Sequence, residues 1–331
     1  MLEHGGRLRQ AAHQHGIALH EWLDLSTGIN PDTWPVPPLD PRCWNRLPED
    51  DDGLEEAAAA YYGNPRLLPL AGSQAAIQTL PLLFERATVA CVSPLYEEHP
   101  HAWERCGHAL RRLPSLQRAL TAATTIVLLC NPNNPTARAI PRAELLAAAD
   151  TLHRRGGWLI IDEAFADAEA ENSLTELAGS EDLPRLIVLR SLGKFFGLAG
   201  ARVGFLFAAS GIRDALREKL GPWPISHPAR EVARQALADS AWQQATRVQL
   251  LAASQRLATL LAPLGEVERT ALFCTLRTPH PAALAEHFAR HAILLRRFDE
   301  HGLLRFGLPG DEAAWQRLAT VIGMTAYGQR L

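Results

Sequence analysis

The sequence predicts an α/β protein built on a mainly parallel sheet, and three observations point there. Short, almost wholly apolar runs recur between about residues 52 and 207, each bounded by turn residues. Helical patterns separate them, which is the alternation expected of βαβ units. The runs also lack a polar side, as strands covered by helices on both faces must. With 331 residues, 47% of them hydrophobic, the chain can bury a large core without staples, and its length suggests two domains.

Taken in order, residues 1–40 turn rich in Pro after Asn30 and read as an arm. A large domain follows over 41–223. Its helices are expected at the alanine-rich 54–62, at 73–84 with Ser73 as N-cap, and at 141–155, which opens on a proline. Its strands are expected at 88–92, 125–130, 158–161, 186–189 and 203–207. Gly221-Pro222-Trp223-Pro224 interrupts the pattern and places a boundary near 223. The remainder, 224–331, suits a small α+β domain, with a long helix over 227–261, strands at 272–277 and 292–296, a helix near 281–290 and a terminal helix.

Composition removes several classes of function. Thirty-three Lys and Arg against 36 Asp and Glu give a net charge of −3 with no basic block, so nucleic-acid binding lacks its electrostatic footprint. No apolar run approaches the length of a membrane span, and the opening Met1–Gly5 has no signal-peptide core, so a cytoplasmic location is expected. Cys43, Cys91, Cys106, Cys130 and Cys274 lie far apart and read as reduced thiols, with neither a disulfide framework nor a metal site. His99 and His101 lack a third ligand and are given no metal role. The run Glu49 to Asp52 reads as a solvated approach to a helix N-terminus.

The chemistry concentrates at three expected strand ends. Asn131-Pro132-Asn133-Asn134-Pro135-Thr136 follows one strand, Asp162-Glu163-Ala164-Phe165 the next, and Ser191-Leu192-Gly193-Lys194-Phe195-Phe196-Gly197 a third, with Arg202 eight residues after the lysine. Ligands of open α/β sheets bind outside such carboxyl ends. Taken singly, Lys194 reads as a solvated charge and Asp162 as a helix cap. The ordered set Asn134, Asp162, Lys194 and Arg202, each beside a strand, favours a site.

With Arg190-Ser191-Leu192-Gly193-Lys194-Phe195, His4-Gly5-Gly6 and Ser26-Thr27-Gly28-Ile29-Asn30-Pro31, this set resembles the fold type I pyridoxal-phosphate enzymes. The resemblance covers essentially the whole chain. It lies in the aminotransferase branch that includes histidinol-phosphate aminotransferase, on the side of the members that decarboxylate threonine phosphate. It implies a seven-stranded sheet in the large domain, pyridoxal 5'-phosphate as cofactor, and a homodimer that completes each site. Lys194 would be the Schiff-base lysine, its neutral amine favoured by the cations Arg190 and Arg202. Asp162 would pair with the ring nitrogen and Asn134 with the phenolate oxygen. Ser73, Gln74, Ser191 and Arg202 would hold the phosphate, and Tyr96 would stack on the ring.

For the substrate, a small phosphorylated amino acid, the resemblance implies His4, Gly5, Gly28 and Asn134 as lining residues, with Arg305 on the α-carboxylate and Arg296 on the phosphate. Both arginines interrupt apolar runs and need anionic partners. The competing reading is an ion pair with Asp299 or Glu300. The implied reaction is decarboxylation of L-threonine O-3-phosphate to (R)-1-amino-2-propanol phosphate, the linker of the cobalamin nucleotide loop. Transamination of histidinol phosphate or a related amino acid is the alternative, and a cofactor-holding regulatory protein without turnover is a third. Three positions depart from the pattern: Leu47 stands where relatives often carry a Tyr, Gly28 where they carry a polar side chain, and Phe165 where many aminotransferases have Tyr.

Overall fold

The computed structural model describes residues 4–122 and 124–328. Residues 1–3, 123 and 329–331, which fall in the expected arm, large domain and small domain, lie outside the described residues. The chain forms two compact units, one of Thr33–Asn134 with Ala139–Ala245, the other of the residues up to Asp32, Pro135–Arg138 and those from Thr246 onward.

This division differs from the expected 1–40, 41–223 and 224–331, for two physical reasons. The arm is not independent, because Leu23–Asp24 pairs in parallel with Ile293–Leu294, and Ala11, Trp22 and Ala292 share a buried cluster. The turn at 221–224 does not end the larger unit, because helix His227–Ala238 packs on helix Leu54–Tyr62. Arg230 of the first is ion-paired with Asp52, just ahead of the second, at 2.6 Å.

In the larger unit seven strands form one sheet: β1 (Leu67–Leu70), β2 (Thr88–Val92), β3 (Ala109–Leu113), β4 (Ile126–Cys130), β5 (Trp158–Asp162), β6 (Leu186–Ser191) and β7 (Gly204–Phe207). Their order is β1-β7-β6-β5-β4-β2-β3, and β7 alone runs against its neighbours. The five strands expected from the sequence are all present within a residue or two at each end. The two that were not expected lie at the sheet's edges. β1 contains Pro69, which a central strand cannot accommodate. β3 carries Arg111 and Arg112 outward and is half-exposed, so it lacks the apolar signature.

Three helix expectations change. Gly72, not Ser73, occupies the N-cap of helix Ser73–Thr79, and Ser73 is its first helical residue. The helix then tightens into a 3-10 turn, Leu80–Leu83, at Pro81, whose ring and missing N–H end regular α-helix. The pattern over 227–261 is two helices, His227–Ala238 and Ser240–Leu261, divided at Asp239, whose carboxylate accepts the Trp242 N–H at 3.0 Å.

The smaller unit holds an antiparallel sheet of β8 (Val267–Arg269), β9 (Phe273–Arg277), β10 (Arg296–Phe298) and β11 (Leu303–Gly307), in the order β10-β11-β9-β8. The strand expected at 292–296 is split. Ile293–Leu294 pairs with the arm, whereas Arg296 opens β10 instead of closing a strand. No helix among the described residues is long and apolar enough to cross a membrane.

Candidate active site

Register places the segments with the expected cofactor residues of the larger unit together at the carboxyl end of its parallel strands. β4, β5 and β6 end together, with Cys130 opposite Asp162 and Asp162 opposite Leu189. Because β7 is antiparallel, it begins where β6 and β1 finish: Gly204 lies opposite both Ser191 and Leu70. The segments after β1, β2, β4, β5 and β6 and before β7 therefore emerge side by side. They carry Ser73 and Gln74, Tyr96, Asn134, Asp162, Ser191 and Lys194, and Arg202.

Asp162 is the buried last residue of β5. Its Oδ1 accepts the Ala164 N–H at 3.0 Å, and its Oδ2 lies 2.8 Å from Nε2 of His99, which is 2% exposed. Sequence reading missed His99 by grouping it with His101. The segment is a helix, Glu98–Arg105, which turns His101 outward and His99 inward. The signal was there in helical spacing, since His99, Ala102 and Trp103 form one buried stripe. The Cys130 sulfur lies with these donor atoms inside 4.8 Å. Burial first, and the Asp162 charge second, push its thiol well above the usual range, so it presents a neutral wall.

Lys194 is half-buried in the short helix Leu192–Phe195 after β6, its Nζ 5.3 Å from the centre of the Phe165 ring. Arg190 does not serve as the neighbouring cation expected from the sequence. It is 2% exposed, its Nη1 donates to Glu163 Oε2 at 2.8 Å, and its Nη2 lies 2.9 Å from Asp167 Oδ1, so its charge is answered inside the core. Arg202 remains as the cation at this edge. Its backbone is left-handed, with φ 55°, and its guanidinium lies over Gly72. A Cβ on Gly72 would come within 2.7 Å of Arg202 Nη2, and one on Gly204 within 2.5 Å of the Ser73 nitrogen. The two glycines thus clear a cradle of helix-start N–H groups beside a guanidinium, the arrangement a phosphate requires.

Gln74 contributes to that cradle only through its backbone. Its side-chain Nε2 donates to Glu98 at 2.9 Å, and its Oε1 accepts the Tyr96 hydroxyl at 3.4 Å. Burial, and after it the Glu98 charge, push that hydroxyl up to about 12, so Tyr96 stays neutral. Asn134 follows a braced turn. Asn131 Oδ1 accepts the Ile140 N–H at 2.7 Å, and Asn133 Nδ2 donates to the Pro94 carbonyl at 2.9 Å.

In the smaller unit the other expected residues collect around Ser26. A Cβ on Gly5 would lie 2.4 Å from the Ser26 carbonyl oxygen, and Gly6 N donates to Ser26 Oγ at 2.7 Å. Arg305 Nη2 donates to the same carbonyl at 2.6 Å. Gly28 is buried at φ 62°, a conformation L side chains avoid, which accounts for glycine there. Arg296 and Arg305 stand directly opposite each other on β10 and β11, so they share a face. The ring of Phe298 lies 5.2 Å from one guanidinium and 5.9 Å from the other. Asp299 pairs with Arg297, at 3.4 Å, rather than with Arg296. Arg296 also lines a cavity of about 200 Å³ with His4, Gly5, Arg7 and Ser26.

The fold is that of one enzyme class, and the chain belongs to the class I and II aminotransferase family, whose profile matches residues 43–322. Within it, the chain is similar to a threonine-phosphate decarboxylase of Pseudomonas aeruginosa, with 51% identity across 98% of either chain. A second threonine-phosphate decarboxylase, from a Sinorhizobium species, is 39% identical across 97% of either chain. Among solved structures, histidinol-phosphate aminotransferase from Sinorhizobium meliloti in complex with pyridoxal-5'-phosphate superposes with a TM-score of 0.82 at 19% identity, over 99% of both chains, which is likeness of fold.

Proposed function

We propose that this chain is a pyridoxal-phosphate-dependent decarboxylase of L-threonine O-3-phosphate, forming (R)-1-amino-2-propanol phosphate and CO2 for cobalamin biosynthesis. Fifty-one per cent identity along the full length of a threonine-phosphate decarboxylase carries the reading. The arginine pair supports it independently. Two guanidiniums directly opposite each other on neighbouring strands offer a bidentate donor to each of a ligand's two anionic groups.

The residues fit the cofactor by the cradle at Gly72 and Gly204 and by the carboxylate at the end of β5. Ser73, the Gln74 backbone, Ser191 and Arg202 would hold its phosphate, and Lys194 would anchor it through the amine. Tyr96 would cover one ring face and Asn134 would donate to the phenolate oxygen. When bound, pyridoxal phosphate supplies an electron sink for the pair left by a broken Cα bond. Asp162 supports that with a negative charge at the ring nitrogen, and His99 with Ala164 N–H hold both its carboxylate oxygens in place. Phe165, which has no hydroxyl, leaves the Asn134 amide as the donor to the phenolate oxygen.

Arg305 orients the substrate carboxylate and Arg296 its phosphate, with His4, Gly5 and Gly28 as the surrounding wall. CO2 leaves without the electron pair of its bond, so a proton must reach Cα in its place, and Lys194 Nζ is the amine at this edge able to move it. The chain is further proposed to act in the cytoplasm as a homodimer. Support for the dimer is that three large apolar side chains of one short stretch, Val36, Trp44 and Leu47, are left 49%, 72% and 61% exposed.

The purified protein is tested on threonine phosphate and on histidinol phosphate, measuring CO2 and the keto product formed with 2-oxoglutarate. CO2 with no keto product supports the proposal. Keto product without CO2 makes the chain an aminotransferase, and no turnover of either substrate leaves a binding protein.

A further inference from the structure

The least expected group in the larger unit is a buried ionic cluster that the proposed chemistry does not use. Glu163 is fully buried and accepts four hydrogen bonds, from Arg190 Nη1, Thr175 Oγ1 and the Leu174 N–H at 2.8 Å each, and from Ser173 Oγ. Asp167, 1% exposed, takes the second arm of Arg190. The guanidinium lies 4.8 Å from the centre of the Tyr62 ring. Burial works against the Arg190 charge, and Asp167 with Glu163 outweighs it.

Such a cluster is a poor source of stability, since apolar side chains of like volume fill the same space at no net cost. What it adds is direction. Glu163 directly follows Asp162, and Arg190 directly precedes Ser191, four residues ahead of Lys194. The Glu163 N–H bonds the Leu189 carbonyl at 2.9 Å, closing the last rung between β5 and β6, Asp162 opposite Leu189, so the side-chain cluster begins where that ladder ends. Functional groups need holding to about half an ångström, and these two strand ends carry the carboxylate and the amine of the site.

We propose that Glu163 and Arg190 are positioning residues: their buried ion pair, completed by Asp167, sets the spacing between the Asp162 carboxylate and the Lys194 amine. The proposal rests on the cofactor reading above. Its consequence is that the cluster tunes the bound cofactor's surroundings without touching it.

The test compares the holoenzyme with Glu163→Gln, which keeps shape but removes the charge, and with the triple variant Glu163→Met, Asp167→Leu, Arg190→Met, which replaces the cluster by apolar volume. For each, the visible absorption of bound pyridoxal phosphate is titrated with pH, alongside kcat and KM. The expected result is a midpoint moved by at least about half a pH unit, with kcat lowered about tenfold or more and KM held within about threefold. A folded triple variant that titrates and turns over like the unaltered enzyme overturns the proposal and makes the cluster structural. Borohydride reduction of the unaltered protein separates this from the parent reading. A pyridoxyl group found away from Lys194 sinks the cofactor assignment. Found on Lys194, with unmoved titrations in the variants, it sinks the positioning role alone.

Discussion

Replacing Gly72 by alanine should weaken cofactor binding while leaving the fold intact. Gly72 holds φ 75° and ψ 160°, a region open to glycine and strained for any L side chain, at a cost to stability of about 1–3 kcal/mol. The new Cβ would meet Arg202 Nη2 at 2.7 Å and Cζ at 3.2 Å. Arg202 is exposed, so its guanidinium gives way rather than the backbone. The phosphate then loses one charge-assisted contact, worth about 1.5–3 kcal/mol. That is about a 10- to 150-fold rise in Kd. The assay is titration of cofactor-free protein with pyridoxal phosphate, read by visible absorbance. Gly200→Ala, in the neighbouring turn, is the control, because nothing lies within 4 Å of its added Cβ. A Gly72→Ala protein that binds the cofactor within about twofold of the unaltered chain would refute Arg202 as a phosphate ligand.

Asp162→Asn should retain the cofactor but slow turnover by about 100-fold or more, and His99→Gln should give a milder loss of the same kind; near-normal rates in Asp162→Asn reject its role. Arg296→Ala should weaken threonine phosphate far more than threonine, by about 1.5–3 kcal/mol, whereas Arg305→Ala should weaken both; equal losses for Arg296→Ala would make that residue structural. Sedimentation should find a dimer, and a monomer active at nanomolar concentration contradicts it. Asp52 links stability to pH. Burial pushes its carboxyl up, but Arg230 and the Leu54 N–H outweigh this and hold it below the usual range. A depressed folded value makes its contribution present above about pH 4 and lost as pH falls through the folded value. The stability gap between the unaltered chain and Asp52→Asn should therefore be constant near neutrality and shrink in acid, and a gap independent of pH denies the linkage.

Much of the site was legible because its determinants are local. Asn134, Asp162, Lys194 and Arg202 flank apolar runs whose turn residues mark where strands end, and a parallel sheet collects such ends on one edge whatever the strand order. Arg190 shows where that reasoning stops. It occurs in the right segment, yet its charge is engaged by Glu163 and Asp167, partners 27 and 23 residues away in sequence.

By itself the sequence determined the class of the fold, the five central strands, and the segments that gather the candidate residues at the strands' carboxyl ends. All of these follow from periodicity, turn residues and charge, which act over a few residues. Only the tertiary structure decided that β1 and β3 complete the sheet, that His99 grips Asp162, that Arg296 faces Arg305 across two strands, and that the arm packs with the C-terminal segments. Each of these is a pairing between distant residues. It is settled by which surfaces bury together and which buried polar groups then find partners, quantities that no window of the chain contains.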